Sequence, residues 1–445
     1  MQETNLSLEH HWMPFTDNRD FKAAPKLAHG ADGIWLIGAH RRKILDGSSG
    51  LFTTPAGHGR KSIADAVRRQ LIELDYISIF TRGYESSFRL ASRLAAMLPD
   101  PLNRIFFVNS GSESVDTAMK ICLAYHTARR DGNRKMFVSR ERAYHGMNFG
   151  DLSLAGMVRN RIGFGTGLPG IVHMRHPWLP GNRFVIGEPA TGAELADDLQ
   201  RMVDTYGADS IAACIVEPIA GSTGVLVPPR GYLRKLREIC DRHGILLVFD
   251  EVITGFGRTG KPFASQTFEV TPDLLTMAKP LTNGTQPMGA VAVARHVYDT
   301  IVEATPEGAI EFMHGYTFSA HPAACAAALA TLAIYEEERL FERAAHISTY
   351  FLDRVATLRD LPVVSDIRGY GMLAGIDVMM LDRPGLRGNY IQKRPFDAGL
   401  YVKVTGDSII LAPPFIIDGG EIDRMCSILR EVLGAQERSG AGAMS

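Results

Sequence analysis

Several things are scarce in this 445-residue chain, and each scarcity closes off a class of protein. There are only five cysteines (Cys122, Cys214, Cys240, Cys325 and Cys426), scattered and with no CxxC pair. That argues against a disulfide framework and against a zinc site, and predicts a reducing, cytoplasmic setting. Charge of one sign is not in excess, with Lys+Arg at 48 against Asp+Glu at 49, so nothing global recruits nucleic acid or a membrane surface. Long apolar runs are missing too: the Ala-rich stretch Ala323 to Tyr335 is too short and interrupted to span a bilayer, and MQETNLSLEH has neither the basic nor the apolar region of a signal peptide. What remains is an ordinary globular composition, 45% hydrophobic, long enough for a large core and more than one domain. The expected partners are small molecules.

From about Phe88 the chain alternates helix and strand, the pattern of crossover units wound around a parallel sheet. Before it, Gly33 to Leu45 reads as short strands and turns, and Ile63, Ala66, Val67, Leu71 and Leu74 mark one face of a surface helix. After it come a long Ala-rich helix from Ala323 and the strand pattern VVSDIRGYGMLAGIDV. The predicted division is an N-terminal segment over 1–55 that joins a smaller domain, a large domain over 56–325, the smaller α+β domain over 326–436 and a disordered tail over 437–445.

Charged residues stand at the ends of buried-looking runs. Ile245 to Phe249 is a continuous apolar run that ends in Asp250, and Ile211 to Val216 ends in Glu217 with Pro218 barring further pairing. The carboxyl ends of strands are where open α/β sheets gather ligand groups, although Asp250 also suits a turn or helix cap. Lys279 closes another apolar run and precedes Pro280; it reads either as a buried, activated amine or as a lysine snorkelling to water. RIFFV followed by NSGSE reads as strand, tight turn and capped helix, whose exposed amides at Gly111 and Ser112 suit an anion. Tyr144 and His145 fall in the loop after a strand, where an aromatic side chain is placed to stack on a flat ring. Gly255, Gly257 and Gly260 satisfy the letters of G-x-G-x-x-G, but five residues separate them from the strand and no helix pattern opens behind them. They leave a nicotinamide dehydrogenase as the rival reading.

Together NSGSES, YHG, VEPIAGSTGV, DEVITGFGRTG, AKPLTNG and HGYTFSAHP resemble the class III pyridoxal-phosphate aminotransferases, most of all the ω-amino acid:pyruvate group. The resemblance implies the type I fold of that family, α/β with a mostly parallel central sheet, and a homodimer or homotetramer with sites at the subunit interface. It implies pyridoxal 5'-phosphate as cofactor and no metal. By resemblance Lys279 is the Schiff-base lysine and Asp250 the partner of the ring nitrogen. Gly111 and Ser112 match the phosphate turn, Tyr144 and Val252 the two ring faces, Thr317 a phosphate ligand given across the dimer, and His145 and Glu217 further cofactor-pocket residues. Trp12, Phe52, Phe80 and Lys403 fall at the substrate pocket.

The chain departs from the family pattern at Pro280, expected to hold Lys279 towards extended geometry, at Phe52, at Ala320, and above all at Lys403, which stands where relatives carry an arginine. The implied activity is ping-pong transfer of an amino group from an ω-amino acid or amine to pyruvate or a similar 2-oxo acid, with an aminomutase or racemase of the same fold as the alternative.

Overall fold

A computed structural model describes residues 6–440, with side chains as far as residue 435. Three short strands come first, β1 (Gly30–Asp32), β2 (Trp35–Ile37) and β3 (Lys43–Asp46), paired antiparallel in sequence order. The central sheet follows: β4 (Leu102–Val108), β5 (Met136–Arg140), β6 (Ile171–Met174), β7 (Ile211–Val216), β8 (Leu246–Asp250), β9 (Leu274–Met277) and β10 (Gly289–Ala294). Its order is β4-β10-β9-β8-β7-β5-β6, and only β10 runs against its neighbours. A last set comprises β11 (Val364–Tyr370), β12 (Leu373–Val378), β13 (Leu400–Tyr401), β14 (Lys403–Thr405) and β15 (Ser408–Leu411).

The central strands look as they do because both of their faces are covered. Every residue of β7, β8 and β9 is buried, so these strands carry unbroken apolar runs instead of an alternation. Covering helices supply the other half of each contact. The helix Tyr232–His243 buries Tyr232, Leu233, Leu236, Ile239 and Cys240 and stops at Gly244, whose left-handed φ of 63° ends the helix and turns the chain into β8. Each fully buried aliphatic or aromatic side chain contributes about 1.5–3 kcal/mol of transfer free energy. Moving a polar group into these runs would therefore break the sheet where the ligand groups hang.

β13 pairs in parallel with β3 while β14 pairs with β15, and β11-β12-β15-β14 form one antiparallel sheet. The N-terminal strands and the region near residue 400 thus share a sheet. A buried guanidinium fastens β11 to the central part of the chain: Arg368 donates to the Gly224 carbonyl at 2.7 Å and to both Asp366 and Asp377 at 2.7 Å. The final helix, Gly419–Gly440, continues through the first four residues of the expected tail, whose remainder, 441–445, lies outside the described residues. Among the described residues, no helix is long and apolar enough to cross a membrane.

Candidate active site

The carboxyl ends of β5, β7, β8 and β9 and the start of the helix Gly111–Ala128 converge on one cleft of about 150 Å³, lined by Ser110, Gly111, Ser112, Tyr144, His145, Gly146, Glu217, Asp250, Val252, Ile253 and Lys279. Asp250 is the last residue of β8, and its carboxylate is held from three directions. His145 Nδ1 lies 2.8 Å from Oδ2, while the Val252 amide and the Thr276 hydroxyl each donate to Oδ1 at 3.1 Å. The orientation of the acid is thereby set before any ligand arrives. His145 Nε2 is buried without a partner.

Lys279 stands two residues past β9, opening the turn Lys279–Thr282, with φ at +40°. The expected extended geometry is not what forms. Ala278 already leaves the strand conformation, and the turn that closes with the Leu281 amide on the Ala278 carbonyl at 2.9 Å forces Lys279 into the left-handed region, a strained place for a lysine before proline. The surrounding protein desolvates the amine and lowers its pKa; Asp250 and Glu217 oppose that shift, and Lys403 adds to it. Its Nζ sits 5.7 Å from the centre of the Phe52 ring, a cation–π distance.

Glu217 faces the same cleft but acts on backbone. It accepts the Tyr144 and Gly221 amides, both at 3.0 Å, and so fixes the loop that carries Tyr144. Burial raises the pKa of this carboxyl. At the other end of the cleft, Ser110 caps the helix by accepting the Glu113 amide at 3.1 Å, and the Glu113 carboxylate turns back to the Asn109 amide at 2.7 Å. The first intrahelical bond runs from the Ser114 amide to the Ser110 carbonyl at 3.0 Å. The Gly111 and Ser112 amides precede it, in the first turn where a helix leaves its amides without intrahelical partners, a setting that suits an anion. A Cβ on Gly111 would stand 2.9 Å from Val252 Cγ1, so glycine is needed for that approach.

The structure brings Lys279, Asp250, Gly111, Ser112, Tyr144, His145, Glu217 and Val252 to this one cleft and leaves other expected residues apart from its lining. Phe52 is 1% exposed, packed beside the Lys279 amine. Lys403 lies on β14, its amide bonded to the Ser48 hydroxyl at 2.9 Å; its ammonium donates only to the Val404 carbonyl at 3.3 Å, and burial lowers its pKa. Trp12 is 88% exposed and Phe80 55% exposed. Thr317 is exposed as well and shares a surface with Phe80, where Tyr76 Oη donates to the Thr317 carbonyl at 3.0 Å and the Phe80 ring packs on Gly315.

The glycine pattern at Gly255, Gly257 and Gly260 is a packing device: Gly257 abuts Phe341 and Gly260 abuts Ala345, both on the helix Leu340–Ala356. Asp151, buried behind the helix start, and the half-buried Asp116 beside it escaped sequence reasoning. The one signal was an acid inside the short apolar stretch FGDLSL.

Comparison with known proteins identifies the family. The family model described as Aminotransferase class-III matches residues 18–433. The chain is 51% identical to an omega-aminotransferase of Caulobacter vibrioides, covering 96% of this chain and 98% of that one. It is 43% identical to an omega-amino acid–pyruvate aminotransferase of Pseudomonas putida, covering 97% and 96%. Among solved structures, the omega transaminase of Pseudomonas jessenii in complex with PMP superimposes with a TM-score of 0.92 at 32% identity, covering 98% of each chain.

Proposed function

Because the chain belongs to the class III aminotransferases, which work with pyridoxal 5'-phosphate, we propose that it moves an amino group from an ω-amino acid or amine to pyruvate or a similar 2-oxo acid by a ping-pong route. One observation carries this reading: the Lys279 amine and the Asp250 carboxylate face a single cleft whose far end is the open start of a helix. The donors present fit the cofactor. Two free amides suit a phosphate, a braced and nearly buried acid suits a ring nitrogen, and an amine suits an aldehyde carbon.

When bound, the cofactor supplies an aldehyde that links to amines and a ring that accepts the electron pair left when a substrate C–H bond breaks. The protein does the rest. Lys279 would hold the aldehyde carbon, and its Nζ, once freed by an incoming amine, would carry the proton between the substrate carbon and that aldehyde-derived carbon. Burial lowers its pKa, the direction that favours the neutral amine this task needs. Asp250 would hold a proton on the ring nitrogen through opposite charge, and His145 and Thr276 keep its oxygens aimed. Tyr144 and Val252 flank the ring, with Glu217 bracing the Tyr144 backbone.

Lys403 has no carboxylate partner among the described residues, which fits a role in receiving the substrate carboxylate. The second half of the reading is a homodimer or homotetramer in the cytoplasm. The exposed apolar surface around Phe80, Phe88, Ile310, Met313 and Phe318 supports it, as do five buried, free cysteines. A second copy would bring Thr317 to the anion end and Trp12 and Phe80 to the substrate pocket. The expected division at 56–325 and 326–436 belongs to the same reading.

A panel of amine donors with pyruvate fixed as acceptor tests the function. Amino transfer should require both donor and acceptor, and each donor alone should change the visible-edge absorbance of the loaded protein. Turnover without any 2-oxo acid would overturn the reading.

A further inference from the structure

Two carboxyls lie behind the anion end of the cleft with no part in the chemistry above. Asp116 belongs to the helix Gly111–Ala128 and Asp151 to the short helix Phe149–Leu154. Asp116 Oδ1 accepts the Asp151 amide at 3.1 Å. Asp151 is 0% exposed; among the described residues neither of its side-chain oxygens has a hydrogen bond of full geometry, while the Ser112 hydroxyl and the Leu152 amide lie near enough to favour its ionised form. Against it sits the Ser112 hydroxyl, whose oxygen accepts the Met147 amide at 3.1 Å and which therefore keeps its own proton to give. The two meet over Gly146: a Cβ there would stand 1.8 Å from Asp151 Oδ2 and 2.4 Å from Ser112 Oγ. Only glycine leaves that face open, and its φ of +135° favours glycine again.

The surroundings of Asp151 are short of positive charge. Asp116 and Asp250 both act on it, the Tyr144 and Tyr316 phenols lie within its field, and Glu113 stands beside Tyr316. His145 is engaged with Asp250, and the Lys120 ammonium acts on Asp116. Burial first, then Asp116, push the Asp151 carboxyl up to about 8. Asp151 is thus the acid here that keeps its proton into the neutral range.

We propose that Asp151 is a positioning residue for the cofactor phosphate: protonated, it leaves the Ser112 hydroxyl free to donate to the anion, and ionised, it takes that hydrogen bond and sets a like charge behind it. The inference rests on the pyridoxal-phosphate reading of the cleft. Cofactor binding then loosens as pH rises through the Asp151 range, and the loss belongs to the phosphate and not to the ring.

The test compares dissociation constants of pyridoxal phosphate and of pyridoxal, which lacks the phosphate, for the cofactor-stripped enzyme at pH 7 and pH 9 by absorbance titration. Linkage to Lys279 is common to both ligands and cancels in their ratio. In the native protein the advantage of the phosphorylated ligand should fall about tenfold between the two pH values. Asp151→Asn, which cannot ionise, should hold that advantage within about twofold. An unchanged tenfold fall in Asp151→Asn, or no fall in the native ratio, overturns the proposal. If Asp151→Asn does not fold, Asp116→Asn serves: with the neighbouring negative charge gone, the loosening should move to lower pH than in the native protein, and an unmoved or upward-shifted profile overturns the pairing. Failure of the native protein to bind either ligand would refute the cofactor reading itself, whereas tight binding of both with no Asp151 dependence refutes this inference alone.

Discussion

The two ends of the cleft are built on opposite electrostatic plans. At the ring end, unlike charges face one another: Lys279 stands between Asp250 and Glu217, and Asp250 is met by His145. At the anion end, like charges are packed together, Asp151 against Asp116, beside two open amides. The first plan keeps charge in place during chemistry, because each ion has a counter-ion at hand. The second makes a proton part of the architecture, because a buried carboxyl beside a second acid ionises only at a cost.

Breaking the ring end should have the largest effect. Lys279→Ala removes both the covalent anchor and the proton carrier and should lower turnover by about 10⁴-fold, the upper range for a positioned acid–base group; retained turnover in a steady-state assay would refute its role. Asp250→Asn leaves the shape intact but removes the charge opposite the ring nitrogen, and kcat should fall by roughly 10²–10³-fold, as for loss of one preorganised electrostatic contact. A normal kcat would show that the acid is only a brace for the β8 end.

Between these plans lies Lys403, a half-buried cation with neither an acid opposite nor a like charge in hydrogen-bond reach. Lys403→Arg supplies a fork that grips a carboxylate at two points, so KM for carboxylate-bearing substrates should change by about tenfold, which is about 1.4 kcal/mol. Simple amines should move much less, and equal shifts for both would sink the assignment.

The stability of the cofactor-free protein sharpens the contrast through its sign. The Lys279 pKa is lowered in the fold, so the unfolded chain binds more protons there and stability rises with pH up to the ordinary lysine range. The Asp151 pKa is raised, so the folded chain binds more protons and stability falls as pH climbs from the ordinary carboxylate range to about 8. Denaturant midpoints across pH 5–9 should show Lys279→Met flattening the rise and Asp151→Asn flattening the fall. The smallest expected effect is steric. Gly111→Ala presses a methyl on Val252 and should cost about 1–3 kcal/mol, read as a lower denaturant midpoint together with weaker phosphate binding.

Much of this was legible in one dimension. Continuous apolar runs at Ile211–Val216 and Ile245–Phe249 announced buried parallel strands, and the acids and lysine that end such runs marked candidate ligand groups, although a cap or a snorkelling lysine reads the same in sequence. The Ser110 and Glu113 spacing located the helix start to the residue. The left-handed Lys279 was not visible, since local preference before Pro280 points the other way and only the closing turn overrides it. Nor was Asp151, because nothing in FGDLSL says which residues 35 to 40 positions earlier lie across from it.

The sequence by itself determined the order of the elements, the buried strands and the types of group that end them, since burial on both faces and the chemistry of single residues are written in local pattern. Tertiary structure decided which of those groups share a field. Pairing β7 with β8 and β8 with β9 sets Glu217, Asp250 and Lys279 side by side, and folding residues 146–151 onto the helix start brings the Asp151 carboxyl to the Ser112 hydroxyl and within the field of Asp116. A pKa depends on distances through space, and those exist only once the chain has closed on itself.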